Sequence, residues 1–220
     1  MRDLDQTIIK FDYDKNNNKG DFFLSQSNKH VFDFLDQWPK WEKNFVNIIG
    51  EALSGKTHLM NIFLQKNKGI KVDANYLKDI HLKEIKVYEN IIIEDLDEKI
   101  DERLLFTLIN IIDQDNKYLI VTSQIPIVEY KFKLIDLKSR SSNFLLSKIE
   151  NPGDDLMYAL ILKNLSDRQI SIDKKLIDFI IKRIDRSYGK ISDFIYKIDE
   201  ISLKRKKPID FKIIKEALEG

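Results

Sequence analysis

Short apolar runs alternate with stretches whose apolar residues recur every three or four positions over the first two thirds of the chain. The runs predict buried strands, and the intervening stretches, such as residues 58–64 and 102–112, have the spacing of helices. The strand candidates are residues 45–49, 70–73, 90–95, 118–122 and 144–149. Strands that alternate with helices predict an α/β fold with a parallel sheet and helices on both faces.

A further helix is predicted ahead of the first strand. Ser27 or Asn28 could cap it, because both side chains can accept a hydrogen bond from a free amide of the first turn. The helix should end near Trp38 and Pro39, since proline disfavours helical backbone at the residue before it. Trp38 and Trp41 are predicted to pack around this corner.

Helical spacing replaces strand-like runs after residues 151–153, whose sequence is NPG. Asp173 and Asp210 are suited to cap helices, whereas Gly189 and Pro208 are predicted to break them. The helical stretches are residues 156–165, 173–184, 191–203 and 211–218. We therefore predict an α/β core over residues 21–150 and a small all-helical domain over residues 151–220.

Residues 1–20 are polar and are predicted to form a flexible arm. One apolar island interrupts them at residues 6–11, QTIIKF. Taken alone, these residues could form a buried edge strand or a short peptide that docks onto another protein. We favour the edge strand on this pattern alone.

Composition narrows the classes of function. The chain has 220 residues, a formal net charge of +1 and no cysteine. Near-neutral charge gives no general attraction to nucleic acid, and the basic run at 204–207 is typical of a solvated helix end rather than a nucleic-acid patch. The sequence predicts no disulfide, no secretion signal and no membrane helix, so we expect a cytoplasmic protein.

Residues 50–57, GEALSGKT, fit the phosphate-loop pattern G-x-x-x-x-G-K-[ST] between a predicted strand and a predicted helix. Gly50 and Gly55 would let the loop turn its amides toward phosphate, and the helix dipole would add positive potential. Lys56 would contact the β- and γ-phosphates, and the Thr57 hydroxyl suits Mg²⁺. Two further positions belong to this predicted nucleotide site, Ser54 within the loop and His58 directly after it.

Polar residues at strand ends supply further candidates. Glu94 and Asp95 follow a run of isoleucines, at the edge where parallel sheets bind ligands. A solvated strand end is the common reading of such a pair, but beside a phosphate loop we favour a role with Mg²⁺ or water. Residues 122–124 end the next strand, and Gln124 could reach a phosphate or simply belong to the turn before Pro126.

Two basic residues each allow two interpretations. Arg140 lies in a short basic helix and could be a solvated arginine or an arginine finger that stabilises phosphoryl transfer. Lys190 precedes the third C-terminal helical stretch and could be solvated or could close over a phosphate.

Five elements in one order resemble the AAA+ core of bacterial DnaA proteins. They are GxxxxGKTHL, IIIED, VTS, LKSR and a C-terminal set of helices. The sequence is most similar to the short DnaA homologues of the Hda group, which consist of an AAA+ module alone. The resemblance implies an AAA+ nucleotide-binding core over residues 21–150, a helical lid over residues 151–220 and ATP or ADP with Mg²⁺ as ligands.

The resemblance also implies partners. Hda-like proteins bind the DNA sliding clamp, the β subunit of DNA polymerase III, through an N-terminal peptide and stimulate hydrolysis of DnaA-bound ATP. Gln6, Ile9 and Phe11 match that peptide, so the resemblance now favours docking for residues 6–11. The expected partners are DnaA and the clamp, with a homodimer left open and neither sequence-specific DNA binding nor membrane binding expected.

Catalytic and binding roles carry over by position. Thr57 and Glu94 match the metal-binding positions, Asp95 the water-activating acid and Gln124 the sensor-one residue. Arg140 matches the box VII arginine finger, which would act on ATP held by a neighbouring DnaA. Gly50, Ser54, Gly55, Lys56, Thr57, His58 and Lys190 would contact the nucleotide, with Lys190 in place of the sensor-two arginine.

Three departures from the DnaA pattern predict weak intrinsic ATP hydrolysis. The acids occur in the order Glu94-Asp95, Gln124 is neutral, and Lys190 lacks the forked guanidinium of arginine. A nucleotide-bound regulatory state is therefore at least as plausible as turnover. The alternatives are a P-loop small-molecule kinase and a nucleotide-gated adaptor, similar to a helicase loader, without a catalytic contribution.

Overall fold

Five parallel strands form a single sheet in the order β2-β3-β4-β1-β5 in the computed structural model, which describes residues 22–219. The strands are β1 (Phe45–Ile49), β2 (Gly69–Asp73), β3 (Asn90–Leu96), β4 (Tyr118–Ser123) and β5 (Leu145–Lys148). All five lie at the positions that the apolar runs predict. Since every pair is parallel, the carboxyl ends of the strands share one edge, where the residues that follow them meet.

Nine α-helices accompany the strands among the described residues. Five precede or interleave with the sheet: α1 (Lys29–Asp36), α2 (Lys56–Lys66), α3 (Asp79–Glu84), α4 (Glu102–Gln114) and α5 (Ile135–Ser141). Four follow it: α6 (Asp154–Asp167), α7 (Lys174–Ile181), α8 (Tyr188–Arg205) and α9 (Phe211–Glu219). No helix within residues 22–219 has both the length and the hydropathy that a membrane crossing requires.

Helices cover both faces of the sheet, as the sequence predicts. Ile91 and Ile93 of β3 are fully buried in one apolar cluster that includes α4 residues such as Leu108. Ile92, between them, points to the opposite face, where it joins α2 residues such as Met60. Burial of each such side chain contributes about 1.5–3 kcal/mol, and β3 is apolar on both faces because helices cover both.

The C-terminal helices α6 to α9 share an apolar cluster that includes Met157, Ile195 and Ile214. Asp173 caps α7 by accepting a hydrogen bond from the Lys175 amide at 2.9 Å. Asp210 accepts one from the Ile213 amide at 2.9 Å, at the start of α9. Both predicted caps are therefore confirmed.

The prediction that Gly189 breaks a helix is wrong. Gly189 is the second residue of α8, which Ser187 caps by accepting a hydrogen bond from the Lys190 amide at 3.2 Å. Amides of a first helical turn need no partner within the helix, so glycine costs less there than in a helix interior.

Two smaller details of the N-terminal half also differ from expectation. Asn28 stands at the cap position of α1, but its side chain makes no cap bond and instead accepts from the Ser25 amide at 2.8 Å. Helix α3 was not predicted, because it is short and none of its residues is buried, so no apolar periodicity marks it.

Trp41 packs against Phe34, Phe63 and Tyr118, which confirms the predicted aromatic corner.

Candidate functional site

The loop between β1 and α2 adopts a backbone that needs glycine at two positions. Gly55 has a φ of +92°, in the left-handed region that other residues rarely adopt. A Cβ atom on Gly50 would lie 2.6 Å from the Oγ atom of Ser54. Ser54 is itself buried, and its Oγ atom has no hydrogen-bond partner. The two glycines of the motif are thus explained by a tightly wound loop that holds one unpaired buried hydroxyl.

Lys56 is buried at the start of α2, with only 5% of its surface exposed. Its Nζ atom donates hydrogen bonds to the carbonyl oxygens of Gly50, at 2.8 Å, and Glu51, at 3.0 Å. Burial lowers the pKa of Lys56, while the negative charges of Asp95, Glu51 and Glu94 partly oppose that shift. A phosphate group in the loop would add negative charge beside this ammonium and would favour its charged form.

Glu94 and Asp95 end β3 in different environments. The Glu94 carboxylate is buried, and its Oε2 atom lies 2.9 Å from the Nζ atom of Lys71 in the neighbouring strand β2. Its Oε1 atom is buried without a partner. Asp95 is exposed, has a φ of +53° at a bulge in β3, and donates its amide to the Thr122 hydroxyl at 3.0 Å. The bulge thus separates the two acids into one buried and one accessible carboxylate.

The oxygen atoms at this edge suit Mg²⁺. The Thr57 hydroxyl is half-buried after the loop, and the unpaired Oε1 atom of Glu94 is a carboxylate donor. Within residues 22–219, no group of three or more His, Cys, Asp or Glu residues could hold a metal on its own. A magnesium ion here would therefore need phosphate and water oxygens for its remaining ligands, as Mg²⁺ commonly does.

Gln124 follows β4 and is exposed beside the loop. The preceding residue, Ser123, accepts a hydrogen bond at its carbonyl from the Gly50 amide at 3.1 Å. Asn47, a fully buried residue that the sequence analysis missed, orders this turn: its amide group donates to the Ser123 hydroxyl at 2.8 Å and accepts from the Ile127 amide at 2.8 Å. Gln124 is thus held on a fixed turn next to the phosphate loop.

The first turn of α8 also contacts the phosphate loop. The Glu51 carboxylate accepts hydrogen bonds from the Ser187 hydroxyl, from the Tyr188 amide at 3.0 Å and from the Gly189 amide at 3.2 Å. Lys190, the third residue of α8, is exposed directly after these contacts. The structure therefore brings the predicted phosphate-contacting lysine into the first helical turn that borders the loop.

Arg140 lies near the end of α5 and pairs with a different element. Its Nη1 atom is 2.6 Å from the Oδ2 atom of Asp113 in α4, and about a third of its side chain is exposed. Both partners are partly solvated, so this pair contributes little to stability. Arg140 is thus a cation on the molecular surface that a partner can reach after breaking one exposed ion pair.

His58 packs against Phe22 rather than standing free. Their rings meet edge-on with centroids 5.2 Å apart, and the Phe22 ring also lies 3.3 Å from where a Gly55 Cβ atom would be. Phe22 therefore packs against the end of the phosphate loop, beside Gly55 and His58. The predicted docking residues Gln6, Ile9 and Phe11 lie outside the described residues.

Sequence reasoning also missed Glu51 and Lys71. Glu51 occupies one of the free positions of the phosphate-loop pattern, where any residue is allowed, so the motif carries no signal for it. Lys71 is a charge inside a predicted strand whose neighbour ends in acids. A cross-strand pairing argument could have found Lys71 once the strand order was known.

Comparison with known proteins gives two curated relatives, both chromosomal replication initiator proteins DnaA. The chain is 27% identical to the DnaA of Treponema denticola over 168 residues. This alignment covers 76% of the chain and 32% of the relative. The chain is 25% identical over 206 residues to the DnaA of Caldanaerobacter subterraneus subsp. tengcongensis, covering 83% of this chain and 46% of the relative. The chain thus spans about a third to a half of the length of these relatives. No protein-family model matches the chain.

Among solved structures, domain III of the Thermotoga maritima replication initiation protein DnaA superposes with a TM-score of 0.73 at 17% identity, covering 93% of this chain and 96% of that domain. The chain has the fold of DnaA domain III. AMPPCP-bound DnaA from Aquifex aeolicus superposes with a TM-score of 0.64 at 18% identity, covering 84% of this chain and 66% of that DnaA chain. A single-substitution variant of Thermotoga maritima RuvB superposes with a TM-score of 0.64 at 16% sequence identity, covering 90% of this chain and 70% of the RuvB chain.

These comparisons agree with the resemblance to DnaA-related AAA+ proteins, in sequence and in fold. The α/β architecture that the sequence predicts is confirmed by the five-stranded parallel sheet and by these superpositions.

Proposed function

We propose that this chain is an adenine-nucleotide-binding AAA+ regulator of replication initiation. The observation that carries the proposal is the wound loop before α2, in which buried Lys56 lies near Glu94 and Asp95 and which also contacts the start of α8. A DnaA structure with this fold is described as bound to AMPPCP, an analogue of ATP. On this proposal, helices α6 to α9 form the lid domain that follows the nucleotide-binding core.

Each residue of the site would act on the phosphates or on water. The loop amides and the Lys56 ammonium would bind phosphate, and Lys190 would approach it from the first turn of α8. Thr57 and Glu94 would hold Mg²⁺, which when bound neutralises phosphate charge. Exposed Asp95 would accept a proton from water at the mouth of the site.

Intrinsic hydrolysis is proposed to be weak for a structural reason. Glu94, the buried acid, is already paired with Lys71, and so part of its charge is neutralised before any metal arrives. Gln124, on the turn beside the loop, cannot act as an acid or a base. We therefore propose that bound ATP or ADP mainly fixes the conformation of the chain.

The proposed regulatory step uses Arg140. The guanidinium would leave Asp113 and stabilise the transition state of ATP hydrolysis on a neighbouring DnaA, with Gln6, Ile9 and Phe11 holding the sliding clamp. The exposed position of the Arg140–Asp113 pair supports this proposal, because separating solvated charges costs only about 0–1 kcal/mol.

Nucleotide binding is tested by thermal unfolding with added ATP or ADP. At a concentration about 100 times the Kd, a ligand stabilises the folded state by about 2.7 kcal/mol. We expect this gain for the natural chain, and its loss in Lys56→Ala. Lys66→Ala, which changes an exposed lysine of the same helix, is the matched control and should keep the gain.

The regulatory role is tested with DnaA that carries labelled ATP, together with clamp-loaded DNA. We expect this chain to accelerate conversion to ADP, and Arg140→Ala to abolish the acceleration while Lys138→Ala, on the same helix, preserves it. No acceleration, or equal acceleration by Arg140→Ala, would contradict the role.

A clamp pull-down with a Gln6→Ala, Phe11→Ala variant tests the docking residues separately. Equal retention of the clamp by the variant and the natural chain would exclude them as docking residues.

A nucleotide-gated adaptor without a catalytic contribution is the second candidate. The Lys71–Glu94 ion pair favours it, since an acid that is partly neutralised suits retention of nucleotide rather than turnover. This candidate predicts partner binding that fails in Lys56→Ala, while Arg140→Ala leaves every measured function of the complex intact.

A further inference from the structure

The Glu51 side chain bridges the phosphate loop and the C-terminal helices. Its two carboxylate oxygens receive three hydrogen bonds from consecutive residues: the Ser187 hydroxyl, the Tyr188 amide and the Gly189 amide. Hydrogen bonds to a carboxylate are stronger than neutral ones, because one partner is charged. The contact also places a negative charge at the positive end of an 18-residue helix.

The local cap residue satisfies only one of the first-turn amides of α8. Ser187 caps α8, since its Oγ atom accepts a hydrogen bond from the Lys190 amide at 3.2 Å. The same hydroxyl donates to Glu51, so that the cap residue links the helix to the loop. The Tyr188 and Gly189 amides, which have no partner inside the helix, are thus satisfied by a residue from a distant part of the chain.

Gly189 permits the approach of the carboxylate. A Cβ atom at this position would lie 3.2 Å from the Oε1 atom of Glu51, which is tighter than an ordinary contact. The glycine thus leaves room for the helix-to-loop contact without displacing the carboxylate.

Glu51 is fixed at both of its ends. Its carbonyl oxygen accepts a hydrogen bond from the Lys56 ammonium at 3.0 Å, while its carboxylate holds α8. On the helix side, Tyr188 is buried in the core and its hydroxyl donates to the Glu150 carbonyl at 3.0 Å. The path from the phosphate-binding ammonium to the first turn of α8 thus runs through one residue.

We propose that Glu51 is a positioning residue that couples the phosphate loop to the first turn of α8 and sets where Lys190 meets a bound phosphate. This inference rests on the proposed nucleotide-binding function. It assigns Glu51 no contact with the nucleotide. Its role is to hold the first turn of α8, and with it the backbone of Lys190 one residue beyond the contact, beside the loop.

Hydrogen exchange of the nucleotide-free chain tests the contact itself. We expect the Tyr188 and Gly189 amides to exchange about five times faster or more in Glu51→Ala, since loss of a capping interaction costs about 1 kcal/mol locally. Asp173→Ala is the matched control: it removes the cap of α7 and should leave the exchange of these two amides unchanged. Glu51→Gln, which keeps one acceptor oxygen, should give an intermediate rate.

A double-mutant cycle on nucleotide affinity tests the coupling. We expect Lys190→Ala to weaken ADP binding about tenfold in the natural chain, as loss of one charge-assisted hydrogen bond does. In a Glu51→Ala background the same change should weaken binding less than about twofold, because Lys190 is no longer held in place. Fully additive effects would overturn the proposal.

The two failures can be told apart, since the exchange measurement needs no nucleotide. A natural chain that binds no nucleotide refutes the proposed function. Unchanged exchange at Tyr188 and Gly189 in Glu51→Ala refutes the role of Glu51, whether or not nucleotide binds.

Discussion

The Nζ atom of Lys71 lies 2.9 Å from the Oε2 atom of Glu94, across the boundary between β2 and β3. The carboxylate side chain is 10% exposed and the lysine side chain 27%, so the pair is largely shielded from water. Lys71 also donates to the Asn61 side chain at 2.7 Å, which fixes its direction. A protein cation thus occupies one oxygen of the acid that we assign to Mg²⁺.

Replacing Lys71 should therefore expose the metal preference of the site. In Lys71→Met we expect unfolding without ligand to become easier by about 1–3 kcal/mol, because Glu94 loses its partner while it stays buried. Mg²⁺ with ADP should then stabilise the variant more than the natural chain. Thermal unfolding with and without Mg²⁺ measures both effects, with Lys71→Arg as the control that keeps the charge. Equal stabilisation by Mg²⁺ in Lys71→Met and the natural chain would argue against competition for Glu94.

Tyr130 gives a prediction for alkaline pH. Its hydroxyl donates to the Leu96 carbonyl at 2.7 Å, and burial, with the negative charges of Asp97 and Glu98, raises its pKa to about 12. In the unfolded chain the group ionises near pH 10, so between pH 10 and about 12 the unfolded state loses a proton that the folded state keeps. Its stabilising effect is therefore complete below pH 10 and declines as the pH rises.

The check is a comparison of the natural chain with Tyr130→Phe by urea unfolding from pH 9 to pH 11. We expect the free energy of unfolding to fall more steeply with pH in the natural chain, since the variant has no hydroxyl to ionise at this position. Parallel pH profiles would show that the Tyr130 pKa is not raised.

Replacing Asn47 should lower the free energy of unfolding substantially. It is fully buried and connects β4 with the turn that carries Gln124 through the Ser123 hydroxyl and the Ile127 amide. Asn47→Ala leaves the buried Ile127 amide without its partner and removes the bond to the Ser123 hydroxyl, at a cost of about 2–4 kcal/mol. Urea denaturation measures the loss. Ser142→Ala, which removes a hydroxyl bonded only locally on an exposed turn, should cost less than about 1 kcal/mol and serves as the comparison.

Asp113 restrains Arg140, and its removal should act on function rather than on stability. The pair is exposed, so Asp113→Ala should change the free energy of unfolding by less than about 1 kcal/mol. If Arg140 acts on DnaA-bound ATP, freeing it should raise the stimulation of hydrolysis a few-fold at limiting protein. Reduced stimulation by Asp113→Ala would instead indicate that the ion pair holds Arg140 in its active position.

Much of the architecture follows from local patterns in the sequence. The isoleucines of β3 and the glycines of the phosphate loop mark a buried strand and a tight turn without any knowledge of their neighbours. The caps Asp173 and Asp210 are similarly local, since each side chain bonds to an amide two or three residues away. Such features are predictable because the groups that determine them are close in the sequence.

The interactions that tune the site were not predictable in this way. Glu51 accepts hydrogen bonds from Ser187 and Gly189, which are 136 and 138 positions away in the sequence. Lys71 meets Glu94 only because β2 and β3 are neighbours in the sheet. Gly189 was misjudged for the same reason, because it lies within α8 beside a carboxylate that is distant in the sequence. Pairings of this kind depend on the three-dimensional arrangement, which a linear pattern does not contain.

The contact of Phe22 with His58 has a consequence for the reach of the N-terminal residues. An extended chain spans at most about 3.6 Å per residue, so the stretch from Phe11 to Phe22 covers no more than about 40 Å. Any protein held by residues 6–11 is therefore tethered within that radius of the phosphate loop. On the proposed function, its local concentration at the phosphate loop would be set by the length of this linker rather than by its abundance in the cell.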